Sequence, residues 1–223
     1  MFPDTAWSQH RIFSMASSPE DAVVVEKAGL CIRKGGLVIF PTFCLYGMGV
    51  DAMNPEAIER VFAAKGRPES NPLLILVKDR QAALSHVKEV SEEARLLMDT
   101  FWPGRLTLVF RAKNHLPESL TAGTGKIGIR VPEHPVAAAL VRAAGCPITG
   151  TSANLSGMPG SASVKDLAPE LMAAADCILD AGILHGGKGS TVVDTTFSPP
   201  RILREGAVSA ADIHKALLRK TAK

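Results

Sequence analysis

Two basic side chains two positions apart are the first feature that could carry chemistry. Lys65 and Arg67 stand in the run Lys-Gly-Arg-Pro at 65–68, where two cations this close could clamp an oligophosphate. The same run would also suit the end of a helix, with Lys65 simply complementing the negative end of the helix dipole. The spacing alone therefore leaves both a phosphate site and a helix end open.

Two further arginines lie inside strand-like runs. Arg130 stands in Ile-Arg-Val-Pro at 129–132, and Arg204 stands in Leu-Arg-Glu-Gly at 203–206. An arginine within an apolar strand is rarely left unpaired in a protein interior, so each one either forms an ion pair or points into a pocket. For Arg204 the simple alternative is a contact with Glu205.

Two loops could also hold a ligand. Ser152 and Asn154 follow a strand-like run, where short polar groups can hydrogen-bond a ligand or only cap a turn. Residues 182–188 satisfy the G-x-x-x-x-G-K pattern of a phosphate-binding P-loop. However, Gly189 stands where Ser or Thr is required, and a strand-like run follows instead of a helix. We therefore predict a turn or a flexible flap there.

The nucleophiles and metal ligands of many enzymes are missing from the sequence. It holds no Gly-x-Ser-x-Gly elbow, no obvious pair of carboxylates and no Cys/His nucleophile arrangement. Its four cysteines form no C-x-x-C pair and its six histidines show no H-E-x-x-H spacing. Neither a disulfide framework nor a protein-ligated metal is therefore expected. The remaining prediction is chemistry driven by cations and their electrostatics.

Alternating helix and strand signals must position these side chains. Helices are predicted over 18–33, 54–65, 91–101, 135–144, 164–174 and 209–219, and strands over 37–40, 73–77, 106–111, 127–131, 147–150, 177–180, 191–195 and 201–204. The short gaps near the C-terminus favour a mixed sheet, because parallel strands need crossovers of a dozen or more residues. With no internal repeat or linker visible, the pattern predicts a single α/β domain over 18–223.

Composition limits the partners and the location. A chain of 223 residues with 46% hydrophobic content can bury a large core. Its net charge of +3 suits an anionic substrate or transient RNA contact without deciding between them. No apolar run approaches the ~18 residues that span a bilayer, and residues 1–17 lack the apolar stretch of a secretory signal. We therefore predict a loose tail over 1–17 and a cytoplasmic location.

Seven motifs, taken in order, resemble the YrdC-like threonylcarbamoyl-adenylate synthase family and span roughly residues 20–215. They are FPTFCLYGMG at 40–49, KGRP at 65–68 with NPL at 71–73, WPGRLT at 102–107, IRVP at 129–132, TSANLSG at 151–157, GSTVVD at 189–194 and LREG at 203–206. Each motif alone is weak, but the ordered set is specific.

The resemblance implies a fold and a reaction. The fold would be a single YrdC-like α/β domain whose twisted mixed sheet, flanked by helices, carries a deep basic cavity. The reaction would join L-threonine, bicarbonate and ATP, with Mg²⁺ on the nucleotide, into threonylcarbamoyl-adenylate and pyrophosphate for threonylcarbamoyladenosine formation in tRNA. Partner threonylcarbamoyl transferase proteins would take the product, direct contact with tRNA is left open, and no membrane partner is expected.

The resemblance also implies roles for nine residues. The catalytic and ATP-binding set would be Lys65, Arg67, Ser152 and Asn154, joined around ATP by Asn71 and Arg204, and the threonine-binding set would be Thr42, Arg130 and Ser190. The carbamate of threonine is already an anionic nucleophile, so its attack on the α-phosphate needs no strong protein base. It needs cations, a metal ion and preorganised donors instead, which agrees with the residue types found above.

Three positions depart from the family pattern. Phe43 stands where members usually carry an acidic residue, Leu76 where many carry histidine, and Gly160 where many carry serine. The local contacts of those residues are therefore not carried over to this chain.

Two other functions remain as alternatives. One is a related carbamoyl- or adenylate-handling enzyme on the same scaffold. The other is a non-catalytic double-stranded RNA-binding protein whose basic cavity recognises the phosphate backbone. Stacking on bases is poorly supported, because no Lys/Arg run interleaves with aromatic residues.

Overall fold

A computed structural model describes residues 11–15 and 19–218, and within them helices and strands alternate along most of the chain. The strands are β1 (Ile12–Ser14), β2 (Val38–Pro41), β3 (Tyr46–Gly49), β4 (Ile75–Leu76), β5 (Leu106–Arg111), β6 (Lys126–Arg130), β7 (Ile148–Thr149), β8 (Thr151–Ser152), β9 (Cys177–Asp180), β10 (Thr191–Asp194) and β11 (Arg201–Arg204). The helices are α1 (Pro19–Arg33), α2 (Pro55–Lys65), α3 (Arg80–Leu84), α4 (Glu92–Phe101), α5 (Glu118–Thr121), α6 (Pro135–Ala144), α7 (Pro169–Ala174) and α8 (Ala210–Leu218).

The strands are divided between two mixed sheets. The first has the order β1-β9-β2-β3-β8, in which β2 is parallel to β9 and antiparallel to β3. The second has the order β11-β10-β5-β6-β4-β7, in which β5 is parallel to β10 and antiparallel to β6. The predicted α/β class and mixed pairing are confirmed, although the prediction had placed the strands in one sheet.

Local signals account for the helix that carries the paired cations. The Asn54 side chain accepts a hydrogen bond from the Ala57 amide at 3.2 Å, Pro55 begins α2, and Gly66 ends it with a φ of +56°. An asparagine cap, a proline in the first turn and a left-handed glycine after the last turn are the expected boundary residues. The helix therefore ends where its sequence predicts, and Lys65 is its last residue.

Some predicted elements differ in the structure. The helix predicted over 164–174 is a 3₁₀ turn (Val164–Asp166) followed by α7, because Pro169 cannot continue the hydrogen bonding of the turn before it. Of the strand predicted over 147–150, only the two residues of β7 are a strand; the next strand, β8, lies beyond that range and pairs in the other sheet. Helices α3 and α5 were not predicted, since five and four residues are too short to show a helical period.

The N-terminal tail was predicted to be loose. Residues 1–10 and 16–17 lie outside the described part of the chain. Ile12–Ser14, however, forms β1 and pairs in parallel with β9, with Phe13 opposite Leu179. The prediction is therefore wrong for these three residues, because β9 offers them an edge with which to pair.

Alternation along β6 separates the core from a polar face. Ile127 and Ile129 are buried in the main hydrophobic cluster, whereas Lys126, Gly128 and Arg130 are only partly buried. Successive side chains of a strand point to opposite faces of its sheet, so these three residues share the opposite face. Among the described residues, no helix has the length and apolar content needed to cross a bilayer.

Candidate active site

A cavity of about 560 Å³ opens on the polar face of the six-stranded sheet, a volume within the usual range for small-molecule sites. Its floor comes from alternate residues of three neighbouring strands, Thr107 and Val109 of β5, the polar face of β6, and Val192 and Asp194 of β10. Its walls are the β2–β3 turn and the segments around 188–190 and 203–207. Strand alternation and register therefore bring together segments that are far apart in sequence.

Six of the nine predicted site residues line this cavity. They are Thr42, Arg67, Arg130, Ser152, Ser190 and Arg204. The other three, Lys65, Asn71 and Asn154, do not line the cavity, but each is hydrogen-bonded to a residue that does.

Lys65 is turned away from the cavity and is only 3% exposed. Its Nζ donates to the carbonyl oxygen of Asn154 at 2.6 Å and to that of Ser152. Burial, reinforced by the nearby charge of Arg67, lowers the pKa of Lys65 to about 8. Lys65 therefore holds the main chain at Ser152 and Asn154. Its side chain neither serves only to complement the helix dipole nor lines the cavity.

Asn71 and Asn154 form hydrogen bonds next to the cavity without lining it. The Asn71 carbonyl accepts from Arg67 Nε at 3.2 Å. Asn154 Nδ2 donates to the carbonyls of Leu155 and Met158 at 2.8 and 2.7 Å, which closes the loop after β8. Asn154 Oδ1 is buried without a hydrogen-bond partner among the described residues.

Three arginines face one another across the cavity. Burial and the charge of Arg204 lower the pKa of Arg67, and burial lowers the pKa of Arg130 to about 10, with Arg204 adding to the effect and Glu133 opposing it. Arg130 Nε is buried and has no hydrogen-bond partner within the described chain. Neighbouring cations that repel one another, one of them with a buried unpartnered Nε, favour the arrival of an anion, which would supply both the missing partner and the missing charge.

The hydroxyl groups of the site are held in fixed positions. Ser190 Oγ and Thr107 Oγ1 lie 2.8 Å apart in a buried hydrogen bond, and Arg204 Nη2 donates to the Ser190 carbonyl at 2.8 Å. This contact replaces the predicted alternative for Arg204, a pairing with Glu205. Thr42 Oγ1 donates to the Leu45 carbonyl across the β2–β3 turn.

Sequence reasoning missed several residues that line the cavity. Lys126 lies on the same face of β6 as Arg130, and its Nζ is 2.8 Å from Asp194 Oδ2. Arg105 forms an ion pair with Glu133 at 2.6 Å, and Lys188 also faces the cavity. The alternating Lys-Ile-Gly-Ile-Arg run could have indicated Lys126. Arg105 lies in the WPGRLT motif and Lys188 ends the P-loop-like pattern, but neither residue was assigned to the site.

The three departures from the family pattern have local explanations. The ring of Phe43 lies 3.3 Å from the Arg105 guanidinium carbon and stacks on His185 at a centroid distance of 4.5 Å. Leu76 is fully buried. At Gly160, an added Cβ would lie 2.7 Å from Leu45 Cδ1, so a larger residue there would require Leu45 to move.

The P-loop-like run and the cysteines are the other features that the sequence singled out. Residues 182–188 lead into strand β10 and not into a helix, which rules out a P-loop. Cys177 is fully buried, and burial raises its thiol pKa to about 12. Within residues 11–15 and 19–218, no group of three or more His, Cys, Asp or Glu side chains could hold a metal ion.

The fold and the cavity together define an α/β protein with a cavity in which arginines surround ordered hydroxyl groups. A profile of the Sua5/YciO/YrdC family, described as telomere recombination, matches residues 31–206. The chain belongs to this family, and its fold is YrdC-like.

Relatives within the family carry a specific activity or ligand in their names. A threonylcarbamoyl-AMP synthase of Pyrococcus abyssi is 39% identical over 186 residues, which are 83% of this chain and 55% of that protein. The structure of P. abyssi Sua5 complexed with L-threonine has a TM-score of 0.88 at 37% identity, covering 92% of this chain and 60% of that one. E. coli YciO has a TM-score of 0.78 at 28% identity, covering 91% and 98%. The chain thus spans little more than half of the first two relatives.

Proposed function

We propose that this chain is an L-threonylcarbamoyladenylate synthase, which forms threonylcarbamoyl-AMP and pyrophosphate from L-threonine, bicarbonate and ATP. The observation that carries the proposal is the charge of the cavity. Six cations line it, namely Arg67, Arg105, Lys126, Arg130, Lys188 and Arg204, against one carboxylate, Asp194. Of these six, only Arg105 and Lys126 form an ion pair with a carboxylate within the described residues.

A site with this charge suits a polyanion together with a small anion. ATP brings several phosphate charges, and threonine brings a carboxylate and, after reaction with bicarbonate, a carbamate. In that first reaction the amine nitrogen bonds to the carbon of bicarbonate, and water leaves. A carbamate oxygen then bonds to the α-phosphorus as the bond to the β-phosphate oxygen breaks, which releases pyrophosphate.

The cavity can assist this second step through charge and position. Arg67 and Arg204 are proposed to hold the phosphates, so that the charge moving to pyrophosphate meets preorganised donors. Arg130, Ser190 and Thr42 are proposed to hold threonine, since a guanidinium binds a carboxylate in a bidentate manner and hydroxyls can orient the substrate. Together they would bring two mutually repelling anions into reacting distance.

Lys65 and its neighbours are proposed to act through the loop after β8. Two hydrogen bonds from Lys65 fix the carbonyls of Ser152 and Asn154, which sets the position of the Ser152 side chain at the cavity wall. The unpartnered Asn154 Oδ1 leaves an acceptor for a ligand donor. Asn71 is proposed to contribute indirectly, through its carbonyl contact with Arg67.

Magnesium belongs to this proposal as part of the substrate. Asp194 already accepts hydrogen bonds from Lys126 and Thr196, and it is the only carboxylate lining the described cavity. The residues present therefore fit a metal ion carried by the phosphates of ATP better than one held by the protein. When bound, the ion would neutralise phosphate charge.

The product would pass to a threonylcarbamoyl transferase that modifies tRNA. Nothing in the sequence suggests a second motif set for transferring the group to adenosine. We therefore expect the purified chain to form the adenylate but not to modify tRNA without a partner.

The test is pyrophosphate release from ATP, with threonine and bicarbonate omitted one at a time. Release should require both. Arg67→Ala should lower it by on the order of 100-fold, as expected for loss of one preorganised charge. Arg95→Ala removes an arginine that is exposed on α4 and should leave the rate unchanged. Release that continues without threonine, or that is equal in the two variants, would contradict the proposal.

A further inference from the structure

The glycine-rich loop at 182–188 matched a phosphate-binding pattern but lacked the helix of a P-loop. The function proposed above counts Lys188 among the lining cations and gives the rest of the loop no role. In the structure, the last residue of the loop belongs to the cavity wall. Lys188 and Gly189 line the cavity, directly before the buried Ser190. An added Cβ at Gly189 would lie 3.7 Å from Arg204 Nη2. The residue after the loop is therefore close to an arginine proposed to hold phosphate.

The main chain of this loop is attached at several points. At its start, Tyr46 Oη donates to the Gly182 carbonyl at 2.8 Å and accepts from the Ala181 amide at 2.9 Å. Further along, the Leu184 amide donates to the Ala162 carbonyl at 2.8 Å, and the Gly186 amide donates to the Cys44 carbonyl at 2.9 Å. The main chain of the loop is thus held at Tyr46, at Ala162 and at Cys44 in the β2–β3 turn, although side chains such as Ile183 are exposed to solvent.

A stack of two aromatic side chains also attaches the loop to the β2–β3 turn. The rings of Phe43 and His185 are stacked, with centroids 4.5 Å apart and planes 13° from parallel. The Arg105 guanidinium carbon is 3.3 Å from the same Phe43 centroid. Two groups this close cannot share one face of a ring, so Phe43 lies between Arg105 and His185. Cation–π and stacking contacts both stabilise such an arrangement.

The backbone conformation of this loop, and not close packing, accounts for its glycines. Gly182, Gly186 and Gly187 have φ values of +76°, +71° and +93°, and a Cβ added to any of them would meet nothing within 4 Å. Left-handed backbone without crowding indicates a turn that only glycine adopts readily. The chain bends at Gly187, and Lys188 follows it at the cavity wall.

We propose that loop 182–188 is a second phosphate-holding segment, in which Lys188 contacts the phosphates of the nucleotide and the Phe43–His185 stack fixes its position. This inference rests on the proposed function, because it takes ATP as the ligand. Lys188 forms no ion pair within the described residues and stands beside Arg204, which already repels Arg67 and Arg130. A third or fourth cation at one place is stabilised by several phosphate charges better than by a single carboxylate.

The test uses inorganic pyrophosphate, titrated calorimetrically into the full chain without threonine, so that turnover is not needed. Lys188→Ala should weaken pyrophosphate binding roughly 5- to 20-fold, a loss suited to one exposed charge-assisted contact. His185→Ala should weaken it by about 2- to 5-fold, whereas His185→Phe, which keeps the stack, should stay within about twofold of wild type. Lys27→Ala, on the exposed side of α1, is the matched loss of charge and should change nothing.

The double variant separates positioning from direct contact. If His185 acts through Lys188, His185→Ala combined with Lys188→Ala should bind pyrophosphate no more weakly than Lys188→Ala alone. Full additivity, or failure of His185→Phe to restore binding, would overturn the role of the stack. Lys188→Ala binding like wild type would overturn the inference while the proposed function stands. A wild-type chain that does not bind pyrophosphate would contradict both.

Discussion

Nucleotide binding should transfer protons from solution to Lys65, and this can be measured without any turnover. Burial lowers the pKa of Lys65 to about 8, with the charge of Arg67 as the second cause. Phosphate groups arriving on the other side of Ser152 add negative charge near the ammonium group, which favours its protonated form. The pKa of Lys65 should therefore rise when ATP binds, and the protein should take up protons wherever Lys65 was partly neutral before.

The size of the effect follows from the distance and the starting pKa. One negative charge roughly 7 Å away in an effective dielectric of about 20 is worth about 2.4 kcal/mol, which raises a pKa by about 1.7. With a starting pKa of about 8, Lys65 should take up about 0.1 proton per site at pH 7, about 0.5 at pH 8 and about 0.7 at pH 9. Additional phosphate charges would increase the values at high pH.

Calorimetric titration with ATP in buffers of different ionisation enthalpy gives the number of protons directly. Lys65→Met, which keeps a long apolar side chain, should abolish most of the uptake at pH 9, whereas Lys27→Met should keep it. Wild-type uptake below about 0.2 proton at pH 9, or the same uptake in Lys65→Met, would show that the phosphates do not lie near Lys65. The assignment of Lys65 to the ATP site would then be wrong.

Three further substitutions test one core position and two positions at or next to the cavity wall. Cys177→Ser places a hydroxyl in a fully buried site and should lower the free energy of unfolding by about 1–3 kcal/mol in denaturant titrations, with turnover preserved. Burial raises the pKa of Asp194, but hydrogen bonds from Lys126 and Thr196 outweigh it and hold the pKa below its usual 3.8. Its carboxylate therefore stabilises the fold above about pH 4 and loses this contribution as the pH falls further, so Asp194→Asn should flatten the acid side of a Tm–pH profile. Gly206→Ala would put a Cβ 2.2 Å from the Gly189 carbonyl oxygen. The segment around Gly189 would have to move, which should lower pyrophosphate release by on the order of 10- to 100-fold. A rate equal to wild type would show that this close contact is not needed.

The element boundaries that the sequence predicted best are those with local chemical signals. Asn54, Pro55 and Gly66 mark the ends of α2, and the structure shows the expected cap and left-handed glycine. The short strands β3 and β8 were not predicted, because both depend on pairing, β3 with β2 and β8 with β3. The two residues of β8 carry little periodic signal of their own, so their state depends on a partner far along the chain.

Most of the candidate site could also be predicted, but only as a set of residues. Six of the nine lie at one cavity, as the ordered motifs implied. Two further residues that line the cavity, Lys126 and Lys188, were missed for different reasons. Lys126 looked like an ordinary strand lysine, and Lys188 belonged to a loop whose pattern resembled a P-loop without its helix.

The sequence by itself determined the α/β class, the ends of the main helices and the cationic character of the site. Those properties depend on residue type and on hydrogen bonds between near neighbours. Only the tertiary structure decided that Arg67 faces the cavity while Lys65, two residues earlier, turns back to the carbonyl of Ser152, 87 residues away in sequence. The direction of a long side chain depends on which distant backbone needs a donor, and only the packed fold brings that backbone within reach.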